Sequence, residues 1–182
     1  MTNTPSASGT GTYVHLGDGR PAVRFTRTYP HPIERVWRFV TEPAELVHWF
    51  PSRVEVDLRP GGEMRFSFDP NTPDSVGRVL ALDPPRHLSF VWDADELHFD
   101  LEPAGSGGTR FTLTNVLAED DTAARNAAGW QVCLDALDAA ANGEHRDGPH
   151  AGPTGDWKGY YDAYVAQGVP SGAHIPGVDD VQ

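Results

Sequence analysis

The chain has 182 residues, enough for one domain, and at that length folding buries roughly 70% of the surface an unfolded chain exposes. Hydrophobic residues make up 38%, and 14 Lys plus Arg stand against 26 Asp plus Glu, a formal charge of -12. That sign repels phosphate backbones and anionic lipid, which excludes nucleic-acid or membrane-surface binding as the main role.

One cysteine, Cys133, leaves no intramolecular disulfide and no cysteine-based zinc site. No apolar run approaches the roughly 18 residues of a membrane span, and Met1 to Gly11 lacks the charged-then-apolar layout of a signal peptide. The expected address is the cytoplasm.

Residues 1–12 read as a disordered leader, rich in Ser, Thr and Gly. Tyr13 to Leu16 and Ala22 to Tyr29 read as two strands across Gly17-Asp18-Gly19. In the second, Val23, Phe25, Arg27 and Tyr29 alternate with Arg24, Thr26 and Thr28, so one face is largely apolar. Pro32 suits the first turn of a helix, and Ile33, Val36, Trp37 and Val40 then follow at amphipathic spacing. Thr41 closes that helix and is placed to cap a second, short one carrying Leu46, Val47, Trp49 and Phe50, which Pro51 stops.

From Ser52 the period becomes two. Val54, Val56 and Leu58 mark one strand, and Met64, Phe66 and Phe68 the next after Pro60-Gly61-Gly62. Val76 to Leu82, His87 to Trp92, Leu97 to Leu101 and Thr109 to Val116 follow, joined by tight turns, which predicts an antiparallel meander. Glu119 to Thr122 offers caps for a helix over about 122–142, with Ala127, Trp130, Leu134, Leu137 and Ala141 on one stripe and Asp135 and Asp138 off its centre. Gly143 suits its C-terminal end.

Residues 143–155 read as a Gly/Pro/His linker, and 156–182 as an aromatic helical segment with a loop-like tail. Trp157, Tyr160, Tyr161 and Tyr164 recur there at helical spacing, to pack back on the domain or to meet a partner. The fold class expected is α+β: a curved antiparallel sheet wrapped round one long C-terminal helix, with two short helices after the first long strand and the main domain over 13–142.

Several stretches carry a family resemblance. They are Arg24-Phe25-Thr26-Arg27 through His31-Pro32-Ile33-Glu34-Arg35-Val36-Trp37; Thr41 to Leu46 with Trp49-Phe50-Pro51; Pro60-Gly61-Gly62-Glu63-Met64-Arg65-Phe66; Gly77-Arg78-Val79-Leu80; Asp83 to Leu88; and Gly129-Trp130 ahead of Leu134 and Leu137. In this order, over about residues 20–142, the chain resembles START-related (SRPBCC) proteins, and more narrowly the family of activators of heat-shock protein 90 ATPase homologues. The resemblance implies a helix-grip fold and often lipid-like or aromatic ligands. It implies no shared catalytic set, since the superfamily includes carriers, cyclases, oxygenase domains and co-chaperones.

The ligand-binding candidates are therefore Phe66, Phe68, Phe90, Trp92 and Phe99 on the strands, with Trp130, Cys133, Leu134 and Leu137 on the helix. Each serves equally as pocket wall or as packed core. Trp49 and Phe50 could gate such a pocket or simply anchor their short helix. Cys133 has no adjacent cation, helix N-terminus or fixed histidine to make it a nucleophile.

None of the eight histidines forms the i, i+4 pair with a catalytic Glu of a metallohydrolase; His145 and His150 fall in the linker, and His98 and Asp100 face away from the core. Glu63, Asp93, Asp95 and Glu96 lie at turns or strand ends, so no catalytic residue, metal or cofactor is assigned. The expected function is binding of a small hydrophobic molecule between sheet and helix. The alternatives are a co-chaperone acting on heat-shock protein 90 in a stress response, and a cyclase- or hydrolase-like enzyme in the same pocket. The possible chaperone or homodimer contact is the C-terminal aromatic segment. The Ala/Gly/Pro/Arg bias suits a bacterium of high GC content.

Overall fold

The computed structural model describes residues 9–70, 72–144, 148, 155–176 and 179. Residues 1–8 of the expected leader and most of the linker lie outside the described residues; the rest of that leader is not disordered, since Gly9 and Gly11 are held by hydrogen bonds and Thr12 begins the first strand. Eight strands form one antiparallel sheet: β1 (Thr12–His15), β2 (Pro21–Tyr29), β3 (Arg53–Val56), β4 (Glu63–Ser67), β5 (Ser75–Asp83), β6 (His87–Trp92), β7 (Asp95–Ala104) and β8 (Gly108–Val116). Their order across the sheet is β1-β2-β8-β7-β6-β5-β4-β3. The meander from β3 thus runs back until its last strand joins β2, and the sheet curves over α3 (Ala123–Ala141). Between β2 and β3 come α1 (Ile33–Thr41) and α2 (Pro43–Leu46), and α4 (Gly155–Ala166) closes the order.

Period-two patterning sets the register, because a one-residue slip would turn every apolar side chain outward. Phe25, Leu113, Phe99 and Leu88 are in register across β2, β8, β7 and β6, all buried. The neighbouring layer is Val23, Asn115, Leu97 and Phe90, and the one on its other side begins with Arg27, Phe111 and Leu101. In these layers two polar side chains, Asn115 and Arg27, therefore stand in the inward face.

Two details depart from the sequence pattern. Phe39 rather than Trp37 joins Val36 and Val40 in the buried face of α1, while Trp37 is half-buried at its margin. Thr41 is the last residue of α1 and caps nothing; its hydroxyl donates back to the Trp37 carbonyl at 2.7 Å, and Glu42 precedes Pro43, the first residue of α2.

Helix α3 is about 28 Å long at the standard rise and none of its residues is exposed. The sheet covers one side and α4 the other. The aromatic stripe of α4 faces α3: Tyr164 is buried, Tyr160 bonds to Asp135, and Trp157 stacks on Tyr161 with centroids 5.1 Å apart. At its C-terminal end Gly143, at φ 84°, ends α3 in a Schellman motif, with Glu144 N–H on Ala139 O at 2.9 Å and Gly143 N–H on Ala140 O at 3.0 Å.

The N-terminal end differs from expectation. No side chain of Glu119 to Thr122 caps α3; the Ala124 N–H donates instead to the Pro170 carbonyl at 2.9 Å, and Arg125 Nη1 to His174 O at 2.8 Å. A tail carbonyl satisfies a donor that the local sequence leaves open.

Candidate functional site

Of the nine residues proposed as a wall, Phe66, Phe90, Phe99, Trp130, Cys133, Leu134 and Leu137 are buried in one continuous core, with Trp92 half-buried against it. Phe68 is not among them. Strand β4 ends at Ser67, and Phe68 has φ 60°, which breaks the alternation and turns its ring outward. The ring is 79% exposed, beneath the Arg53 guanidinium at 5.3 Å.

Phe50 fills the space between these walls. It leaves the turn after α2 and reaches both layers: its centroid lies 6.0 Å from Phe66, 6.5 Å from Phe90, 6.2 Å from Trp92 and 5.7 Å from Trp130. Trp49 beside it is fully buried and donates from Nε1 to Phe39 O at 2.9 Å, fixing the turn. The void that remains, bordered by Leu46, Phe50, Met64, Phe90 and Phe99 among others, is about 10 Å³. That is room for one water at most. The open cavity expected from the sequence is closed, because the turn after α2, which ends at Leu46 and not at Phe50, delivers a ring into it.

Burial pushes the Cys133 thiol well above its ordinary range, with the charges of Asp69 and Asp135 acting the same way. The thiol is a core group and not a nucleophile at neutral pH.

A polar cluster lies beside this interior, where β2 meets the C-terminal half of α3. Arg27, 8% exposed, extends from β2 to Asp138 through Nη1, to Asp135 at 3.4 Å through Nη2, and to the Gly9 carbonyl at 2.7 Å. The Tyr29 hydroxyl donates to Asp138 Oδ1 at 2.8 Å. Tyr160 donates to Asp135 Oδ2 at 2.5 Å, and Tyr164 to Gln131 Oε1 at 2.6 Å. Gln131 Nε2 donates to Gly9 O at 2.9 Å, and the Gly11 N–H donates to the Tyr164 hydroxyl oxygen at 2.7 Å.

Burial holds the Asp138 carboxyl above the usual carboxylate range, against the opposing pull of Arg27 and of the Tyr29 hydrogen bond. Burial and the Asp138 charge likewise push the Tyr29 phenol upward. Four segments distant in sequence are thereby tied together: the N-terminal stretch, β2, α3 and α4. A groove of about 710 Å³ opens over this cluster, bordered by Thr10, Thr12, Thr26, Thr28, Tyr29, Asp138 and Asn142 among others.

A second polar node fixes the other half of α3. Asn115, fully buried on β8, donates from Nδ2 to Asp95 Oδ2 at 3.0 Å, and its Oδ1 accepts from Asn126 and from Trp130 Nε1, each at 3.1 Å. Asp95 also accepts from the Ala118 N–H at 2.9 Å. The Trp130 ring is thus oriented by its indole N–H and packs at a tilt against Phe50 and Trp92.

On the opposite face of the sheet His87 Nδ1 lies 2.7 Å from Asp100 Oδ1, and His98 Nε2 lies 3.2 Å from Glu96 Oε2. Among the described residues no three His, Cys, Asp or Glu side chains converge as a metal ion would require. Also among them, no helix is long and apolar enough to cross a membrane.

An antiparallel sheet curved over one long helix, with an aromatic interior between them, defines a helix-grip protein. The chain belongs to the Activator of Hsp90 ATPase homolog 1-like protein family, whose model matches residues 30–142. The strands β1 and β2, and all of α4, lie outside that match.

Among solved structures, CalU16 from Micromonospora echinospora is 23% identical, with 86% of this chain and 94% of that one covered and a TM-score of 0.64. A conserved protein of unknown function from Enterococcus faecalis, EF2215, is 21% identical over 86% of this chain and 91% of its own, with a TM-score of 0.68. The protein encoded by BPP1335 of Bordetella parapertussis is 25% identical, covers 97% of this chain and 98% of its own, and has a TM-score of 0.63. No curated protein matches the chain.

Proposed function

We propose that the protein binds a small hydrophobic molecule, lipid-like or aromatic, between sheet and α3, and that the molecule takes the place of Phe50. The observation that carries this reading is the position of Phe50: one ring, borne on a connecting turn, makes contacts that a ring-shaped guest would make with Phe66, Phe90, Trp92 and Trp130. Phe99, Cys133, Leu134 and Leu137 complete the surround. A family whose fold accommodates small molecules supports it.

Withdrawing a buried Phe side chain costs about 1.5–3 kcal/mol, which a guest of similar apolar area returns. The open state is therefore a minor population in the free protein, and the guest's apparent affinity is reduced by that fraction. Phe68 takes no part, being outside the wall.

Native mass spectrometry of protein purified gently from its own host tests this directly, together with an NMR titration of the same protein with naphthalene. The expected result is an added mass lost on denaturation, with the Phe50 ring and Trp130 indole signals shifting together. A clean ligand-free mass, with neither signal moving at saturating naphthalene, would remove the proposal.

A further inference from the structure

Among the described residues the edge of β2 is paired along only half its length. β1 covers Pro21 to Arg24, with Thr12 opposite Arg24, and goes no further. The parity of the hydrogen bonds is fixed at the strand's start: Leu117 N–H donates to Pro21 O on the β8 side, and Leu16 N–H to Arg20 O on the β1 side. Odd-numbered residues of β2 therefore direct their N–H and C=O to β8, and even-numbered ones to β1. Continuing this alternation leaves the main-chain groups of Thr26 and Thr28 facing outward from the sheet, and no residue among those described pairs with them there. Both residues are exposed.

The vacancy is built into the fold. Extending β1 would put residue 10 opposite Thr26, but the chain is drawn off across the concave side instead. Gly9 O is held by Arg27 at 2.7 Å and Gln131 at 2.9 Å, and the Gly11 N–H is taken by Tyr164. Gly11 crosses the Phe25 ring so closely that a Cβ there would lie 2.5 Å from it. The diverted segment and the open edge together bound the groove of about 710 Å³, within the size range of ligand sites. Between Thr26 and Tyr29 this edge carries no Lys, Pro or bulge, and its one charged side chain, Arg27, turns inward and is engaged by Asp138 and Gly9.

We propose that this edge is a strand-addition site for a short extended peptide bearing an acidic residue at its C-terminal end. The alternating donors and acceptors of Thr26 and Thr28 match a peptide main chain. Four residues match the roughly 10 Å from Thr26 to Tyr29 at the rise of a strand. An antiparallel peptide continuing the line of β1 brings its C-terminal end beside Arg24. That side chain shares the outer face with Thr26 and Thr28 and has no carboxylate partner among the described residues; its Nε donates to Thr114 Oγ1 at 3.2 Å. A second copy of this chain fits less well, because it would bring together two molecules that each carry a formal charge of -12, whereas a short peptide brings one carboxylate to Arg24. The site is separate from the space filled by Phe50 and stands or falls without it.

Hydrogen exchange of the full chain, followed by NMR, tests the proposal with the blocked peptide acetyl-Thr-Val-Thr-Val-Glu-amide at millimolar concentration. The Thr26 and Thr28 amides are expected to exchange freely alone and to slow by about tenfold or more with peptide, while Phe25 and Arg27, already paired to β8, stay unchanged. The same peptide N-methylated at Glu and at the central Thr lacks the pairing donors and is expected to have no effect. Thr28→Pro, which removes an edge donor without a bond to β8, is expected to fold and to lose the slowing at Thr26. Amides of Thr26 and Thr28 that are already protected in the free protein, equal binding of the N-methylated peptide, or no response at millimolar peptide would each overturn it.

Discussion

The Tyr29 hydroxyl donates to Asp138 Oδ1 across 2.8 Å, so a phenol on a strand and a carboxylate on a helix share one partly dry site with Arg27. Burial raises the pKa of Asp138 in the folded state above its ordinary value of 3.8, although Arg27 and Tyr29 oppose the shift and Asp135 adds to it. Between those two values the folded chain keeps a proton that the unfolded chain has released. The contribution is complete below the ordinary value and is lost as pH rises through the raised one.

Asp138→Asn removes this titration. The stability of the wild type relative to Asp138→Asn is therefore expected to fall as pH is raised from about 3 to about 7. Urea denaturation of both proteins at four or five pH values measures it. A difference that grows with rising pH would show that the ion pair with Arg27, and not burial, governs this carboxylate.

Phe50→Ala removes the ring at the centre of the aromatic interior, and nothing else described can fill the space. The expected cost is about 3–5 kcal/mol, as for other large-to-small core changes. The cavity left is lined by aromatic carbon, so the variant is expected to take up benzene or indole and to recover part of the loss as an upward shift in Tm. If the loss stays under about 1 kcal/mol and no compound restores anything, the interior has collapsed around the change.

Tyr164→Phe keeps the ring and deletes one oxygen. That oxygen both donates to Gln131 Oε1 at 2.6 Å and accepts from the Gly11 N–H at 2.7 Å. Two partners are left without it, and the expected loss is about 1–3 kcal/mol. Faster exchange of the Gly11 amide is the specific signature, since a purely global loss would not single it out. An unchanged Gly11 amide would mean that the N-terminal stretch is held by Arg27 and Gln131 alone.

Most of the architecture follows from local patterning that the eye can find. Alternation over Val23 to Tyr29 and over Leu97 to Leu101 marks strands because half-burial imposes a period of two, and the Trp130, Leu134, Leu137 spacing marks α3. Phe68 shows where that inference fails: alternation persists one residue past the end of β4, and only a backbone torsion reveals the turn.

The direction of Phe50 was equally hidden, since a Pro-terminated short helix does not say which layer its last ring enters. The polar cluster around Arg27 was missed for another reason. Its carboxylate partners lie over a hundred residues away, and nothing local distinguishes a buried arginine from a snorkelling one. The available signal was an arginine in an otherwise apolar alternation, together with Gln131, Asp135 and Asp138 spaced to share one face of a helix.

The single oxygen of Tyr164 joins residues 153 positions apart and so binds the beginning of the fold to its last helix. Shortening the chain from the front takes away the amide that this oxygen receives, and shortening it from the back takes away the oxygen itself. The two ends are thus one latch in thermodynamic terms: trimming either one loosens the other, and tolerance to deletion at one end cannot be judged with the other absent.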